Sequence, residues 1–139
     1  MTSHAPPRAI ALEVLARSDG AQLKKLAEDL LQQEPAAIEV LLNRTGLVMV
    51  PMRDTVEATD FFLGEVLVAE AHIRVAGREG YGLRQGHDLE AAMAMAVADL
   101  CFHDPRVASF VSAQQEVLDR ADDEFLRAVE ATRVEMETF

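Results

Sequence analysis

The sequence has no tryptophan, one tyrosine, one cysteine and little more than half as many basic as acidic residues. The lone thiol, Cys101, excludes an internal disulfide, and it forms no metal-ligand spacing with His4, His72, His87 or His103, so no metal site is expected. With aromatic residues at 5%, a core has to be made of Ala, Leu, Val and Met, which favours helices packed closely on a small sheet. A net charge of -11, from 13 Lys plus Arg against 24 Asp plus Glu, repels nucleic acid and anionic lipid. Neither is an expected partner. The longest nearly apolar run, residues 91–98, is far short of the ~20 residues that a bilayer span needs. The N-terminal segment is interrupted by Pro6, Pro7 and Glu13 and lacks the regions of a secretion signal, so a reducing cytoplasm is the expected compartment.

What is present is hydrophobic and periodic. Half of the 139 residues are hydrophobic, and a chain of this length forms one domain that buries roughly two thirds of its extended surface. Residues 1–7 read as a frayed tail and 9–33 as two helices. In the first, Ile10 stands over Val14 and Ala11 over Leu15. In the second, Asp19 with Gln22 has the form of a capping box ahead of Leu23, Leu26, Ala27, Leu30 and Leu31. Glu34-Pro35 ends it.

Residues 37–85 change to an alternating period and hold six of the seven glycines when extended to Asp88. Residues 36–43 fit a strand or a third helix started by Pro35, and the strand is preferred because Ile38, Val40 and Leu42 alternate with polar Glu39. Asn43-Arg44-Thr45-Gly46 has the composition of a hairpin turn into a second strand, 47–53, which Pro51 confines to a sheet edge or a bulge. From Phe61 to Ala76, Leu63, Leu67, Ala69, Ala71, Ile73 and Val75 point one way and Glu70, His72 and Arg74 the other. Ala76-Gly77-Arg78 turns into a last strand, EGYGLRQ. The expected sheet is a four-stranded antiparallel meander.

Asp88 caps a helix over 88–103 that is apolar nearly all round and so covered on more than one side. After His103-Asp104-Pro105, helical spacing persists over 106–136, roughly 45 Å at 1.5 Å per residue. A domain of this size is only about 37 Å across. The last helix must therefore overhang, and Phe110, Val117, Leu118 and Phe125 on its apolar stripe are candidates for a partner's surface. The fold class is α+β, with the N-terminal helices, the Ala/Met-rich helix and the long C-terminal helix packed around the meander.

Candidates for chemistry are sparse. Glu70, His72 and Tyr81 share the wet sheet face, whereas Glu65 lies in line with Leu63 and Leu67 on the face expected to be buried. A buried carboxylate needs a partner, for which Arg53 on the neighbouring strand is the candidate, and a structural pair is preferred to a catalytic acid. Asp99 inside the apolar helix raises the same question, with another chain as a candidate donor. Gly80-Tyr81-Gly82 reads as a close helix crossing rather than a phosphate cradle. No G-x-S-x-G elbow presents a serine. Arg53, Glu65, Glu70, His72, Tyr81 and Arg133 remain as candidate ligand or partner contacts.

Thr45-Gly46-Leu47-Val48, Met52-Arg53-Asp54, Phe61-Phe62-Leu63-Gly64-Glu65, Gly80-Tyr81-Gly82 and Gly86-His87-Asp88, with the ending 131–139, resemble the PhnG family of the bacterial carbon-phosphorus lyase system. The resemblance implies assembly with PhnH, PhnI and PhnJ subunits and, with an ATP-binding partner, transfer of ribose triphosphate from ATP to methylphosphonate with release of adenine. It implies nucleosidase-like chemistry in PhnI and radical cleavage in the iron-sulfur subunit PhnJ. ATP, S-adenosylmethionine and the iron-sulfur cluster would then belong to partners, with no cofactor on this chain. No catalytic residue carries over. The rival readings are a free-standing small enzyme or phosphoester-binding protein using Arg53, Glu70, His72 and Tyr81, and a plain homodimer.

Overall fold

The computed structural model describes residues 6–54 and 56–137. Most of the tail assigned to 1–7 lies outside that range, as do the side chains of Leu63 and Met136. Seven elements follow in order: α1 (Arg8–Arg17), α2 (Gly20–Leu31), β1 (Glu39–Asp54), β2 (Thr59–Val75), β3 (Arg78–Gln85), α3 (Leu89–Leu100) and α4 (Pro105–Glu137). The strands form one antiparallel sheet in the order β1-β2-β3.

Among the described residues the expected fourth strand is absent, because the predicted turn at 43–46 is the middle of β1. Asn43, Arg44, Thr45 and Gly46 pair in unbroken register with Ala71, Glu70, Ala69 and Val68. A tight hairpin needs a positive φ, and the positive-φ positions among the described residues are Ala58, Ala76, Gly77 and Gly86, not Gly46. The 17-residue β2 offers a partner for the whole length of β1, and continuous pairing prevails over local turn composition. Pro51 behaves as its chemistry requires, on an edge strand and at a register shift after Val50. Ala76 and Gly77, with φ of 49° and 83°, make the two-residue turn between β2 and β3.

Helix starts follow their caps. The Asp19 carboxylate accepts from the Gln22 N–H at 3.0 Å, and Asp88 from the Ala91 N–H at 3.1 Å. The second arm of the α2 capping box comes from α4. Gln114, buried, accepts from the Asp19 N–H at 3.1 Å and donates to the Gln22 side chain at 2.7 Å. The end of α1 is closed by the sheet: Arg84 donates to the Leu15 carbonyl and, at 2.7 Å, to that of Ser18.

α3 lies on the inner sheet face. Ala92 and Ala96 meet Gly82 and Gly80, which leave room for the helix backbone: a Cβ on either glycine would stand 2.1 Å from a helix carbonyl oxygen. Ala69, Ala71, Ile73 and Val75 of β2 join α1, α2 and the start of α4 in one core. Full burial of side chains such as Leu15, Leu23 and Ile73 is worth roughly 2 kcal/mol each.

Two parts of the fold leave this core. Beyond the Val68–Gln85 pair, β1 and β2 continue as a two-stranded hairpin with no third strand among the described residues. α4 runs antiparallel to α2, from Arg106 beside Gln33 to Gln114 beside Gln22, then past the Arg17–Asp122 ion pair at 3.0 Å. Arg84 at the end of β3 touches Ser18 and abuts Gly20, so the hairpin base and the starts of α2 and α3 mark one end of the body. Both projections leave from that end. With 33 residues, α4 is about 50 Å long, and residues 119–133 are exposed all round.

Candidate functional site

Two surfaces are candidates, and the first is the outer sheet face. Burial of Ala69, Ala71 and Ile73 turns Glu70, His72 and Arg74 to the other side. Register sets Glu70 beside Arg44 and His72 beside Tyr81. Tyr81 donates its hydroxyl to Glu70 Oε1 at 3.0 Å, while Arg44 Nε stands 3.6 Å from Oε2 of the same carboxylate. His72 lies 3.7 Å from Glu79, which Arg74 approaches at 3.5 Å. Three predicted residues, Glu70, His72 and Tyr81, are thus brought together. Arg44, read from sequence as part of a turn, is the residue missed.

This cluster is a ladder of cross-strand pairs on a face that none of the described helices covers, each pair worth about 1 kcal/mol or less. Burial, and next the bond to Glu70, hold the Tyr81 hydroxyl above its ordinary value of 10.0. The raised value means that its contribution to stability is present below pH 10 and is lost as pH rises through the folded-state pKa. Tyr81 is the only tyrosine and tryptophan is absent, so absorbance at 295 nm reports this group alone. The native midpoint is expected above 10.0, lower in Glu70→Gln, and lowest in denaturant. A native midpoint at or below the denatured one contradicts the geometry.

The other candidates do not join this cluster. Glu65 is exposed, correcting its assignment to a buried face, and stands opposite Met49, while Arg53 stands opposite Asp60. The expected Arg53–Glu65 pair is absent among the described residues. The alternation was right, but that length of β2 lies beyond the helices, so Leu67 on the same face is exposed as well. Arg133 is on the exposed part of α4. Asp99 finds its partners within the chain: Arg8 donates to it through Nε at 2.8 Å and Nη2 at 2.7 Å, and the Tyr81 N–H at 2.9 Å.

A cleft of about 340 Å³ between the end of α2 and the α3–α4 turn is lined in part by Arg78, Cys101, His103 and Arg106. Both arginines are engaged, Arg78 with Glu34 at 2.8 Å and Arg106 with Asp104 at 2.9 Å. Burial pushes the Cys101 thiol up, away from the reactive thiolate. Among the described residues no three His, Cys, Asp or Glu side chains converge as metal ligands, and no helix is long and apolar enough to cross a membrane.

The second surface is apolar. On α4, Val117, Phe125, Leu126 and Val129 are exposed, Phe125 to 68%. Phe110 and Leu118, read from sequence with them, instead pack partly against the core. On the hairpin, Leu47, Met49 and Leu67 are exposed on one face and Val48 on the other, with Phe61 nearer the tip. Four consecutive apolar residues, Leu47 to Val50, cannot all be covered by one layer, and that was the readable signal for a strand exposed on both sides.

The sequence family described as phosphonate metabolism protein PhnG matches residues 6–139. A curated relative, the alpha-D-ribose 1-methylphosphonate 5-triphosphate synthase subunit PhnG of Rhizobium meliloti (strain 1021), is 33% identical over 132 residues, which span 91% of this chain and 84% of the relative. Its name describes one subunit of a synthase. The chain belongs to the PhnG family of phosphonate metabolism.

Proposed function

We propose that this chain is a non-autonomous subunit of the carbon-phosphorus lyase core complex, needed for transfer of ribose 5-triphosphate from ATP to methylphosphonate with release of adenine. Its role is structural and allosteric: it docks on other subunits and shapes a site whose acid and base they supply. The partners in this reading are PhnH, PhnI and PhnJ in the cytoplasm. ATP, S-adenosylmethionine and an iron-sulfur cluster belong to those partners, since a cluster needs several thiolates and this chain has only Cys101.

The observation that carries this reading is the overhang of α4, an apolar stripe that none of the described residues covers. The outer sheet face suits catalysis poorly. Glu70 is engaged by Tyr81 and Arg44, and the neighbouring Glu79 opposes a phosphate's charge.

Reconstitution tests this. The purified chain alone should turn over no ATP and methylphosphonate, and adding it to the other subunits should restore turnover. Turnover by the isolated chain rejects the reading. Phe125→Asp should leave the thermal stability of the free chain unchanged, within about 0.5 kcal/mol for an exposed site. The same variant should weaken assembly at least tenfold, about 1.4 kcal/mol, because a charge in a desolvated contact is costly. Unaltered co-purification of this variant shows that the outer part of α4 is not a contact.

A further inference from the structure

We propose that the hairpin, residues 45–68, and the outer part of α4, residues 117–137, grip one and the same partner chain, a protein whose apolar groove is bordered by basic residues. This rests on the subunit reading and adds which surfaces share a partner.

Geometry is the first support. Both projections leave the end of the body marked by Arg84, Ser18 and Gly20, so one globule between them reaches both, whereas projections from opposite ends would need two. Their reach is matched: ten extended residues of β1 span roughly 33 Å, and the outer part of α4 roughly 30 Å. The hairpin also needs cover on both faces, because a two-stranded ribbon is marginal by itself in water and Leu47 and Val48 face opposite ways. A partner held between hairpin and helix covers the facing sides of both.

Charge decides what that partner is. The hairpin has four acidic residues against Arg53, and the outer part of α4 has seven against three arginines. A second copy would bring the same sign of charge against each projection, which suppresses pairing, while a basic border on a different protein steers it into place.

The test uses the complex assembled from full chains, with the photo-crosslinker p-benzoylphenylalanine placed at Leu47 and, in a separate preparation, at Phe125. Both positions should give adducts with the same subunit, and Leu47→Asp and Phe125→Asp should each weaken binding to that subunit at least tenfold. Raising the salt should slow association several-fold. Adducts with two different subunits, an adduct at Leu47 with a second copy of this chain, or no adduct at either position in a chain that does co-purify would overturn the proposal. A chain that never enters the assembly overturns the subunit reading, and this inference with it.

Discussion

Gly82→Ala is expected to cost about 3 kcal/mol or more of folding stability, near the top of the range for overpacking a core. The added Cβ would lie 2.1 Å from the Ala92 carbonyl oxygen and 3.0 Å from the Ala96 nitrogen, all backbone, so no side chain can swing aside. Relief requires α3 to lift from the sheet, which opens gaps around Ala69, Ala71 and Ala96 in an otherwise close-packed core. Gly80→Ala meets the Ala96 carbonyl oxygen at the same 2.1 Å and should behave alike. Thermal or denaturant unfolding measures this, with a fall in Tm of roughly 10 °C. Gly46→Ala and Gly64→Ala are the controls: nothing lies within 4 Å of either new Cβ and neither φ is positive, so each should be neutral to about 0.5 kcal/mol. Equal losses at Gly46 and Gly82 would mean that close helix approach is not the reason for the glycines.

The second large effect is expected at Asp99, whose side chain is fully enclosed while that of Arg8 is 57% exposed. Its carboxylate gathers the Arg8 guanidinium and the Tyr81 N–H, tying α1, α3 and β3 together. Asp99→Ala leaves the Tyr81 N–H without its acceptor and should cost about 2–3 kcal/mol, below the figure for a wholly buried pair because Arg8 can return to water. Asp99→Asn keeps one oxygen for the Tyr81 N–H and should cost less. Arg8→Ala strands the carboxylate and should approach the alanine variant. If Ala and Asn at this position are equally mild, the enclosed carboxylate is not a structural tie.

How much of this could be read from sequence depended on whether the signal was local. Asp19 and Asp88 announced their helices because a cap is a contact with the next few residues. The alternation of β2 placed Ala69, Ala71, Ile73 and Val75 inside because period alone assigns faces. Glu65 was misplaced because period does not say where the covering helix stops. The false turn at 43–46 is the same kind of error: turn composition is local, but the pairing that overrides it comes from a strand 22 to 28 residues away in sequence, Arg44 with Glu70 among the pairs. Length did carry long-range information for α4, since a helix longer than its globule has to protrude. The chemical inventory was legible mostly as poverty, and the Arg44 contact was hidden by the turn assignment.

The central claim is that the hairpin and the outer part of α4 are covered by other polypeptides. Backbone hydrogen exchange, compared between the free chain and the chain in the reconstituted complex, tests it most directly. Fast exchange is expected over residues 45–68 and 117–137 in the free chain, with strong slowing of both stretches on assembly and α3 and β3 slow throughout. Equal exchange of those two stretches in the free and assembled chain would contradict it.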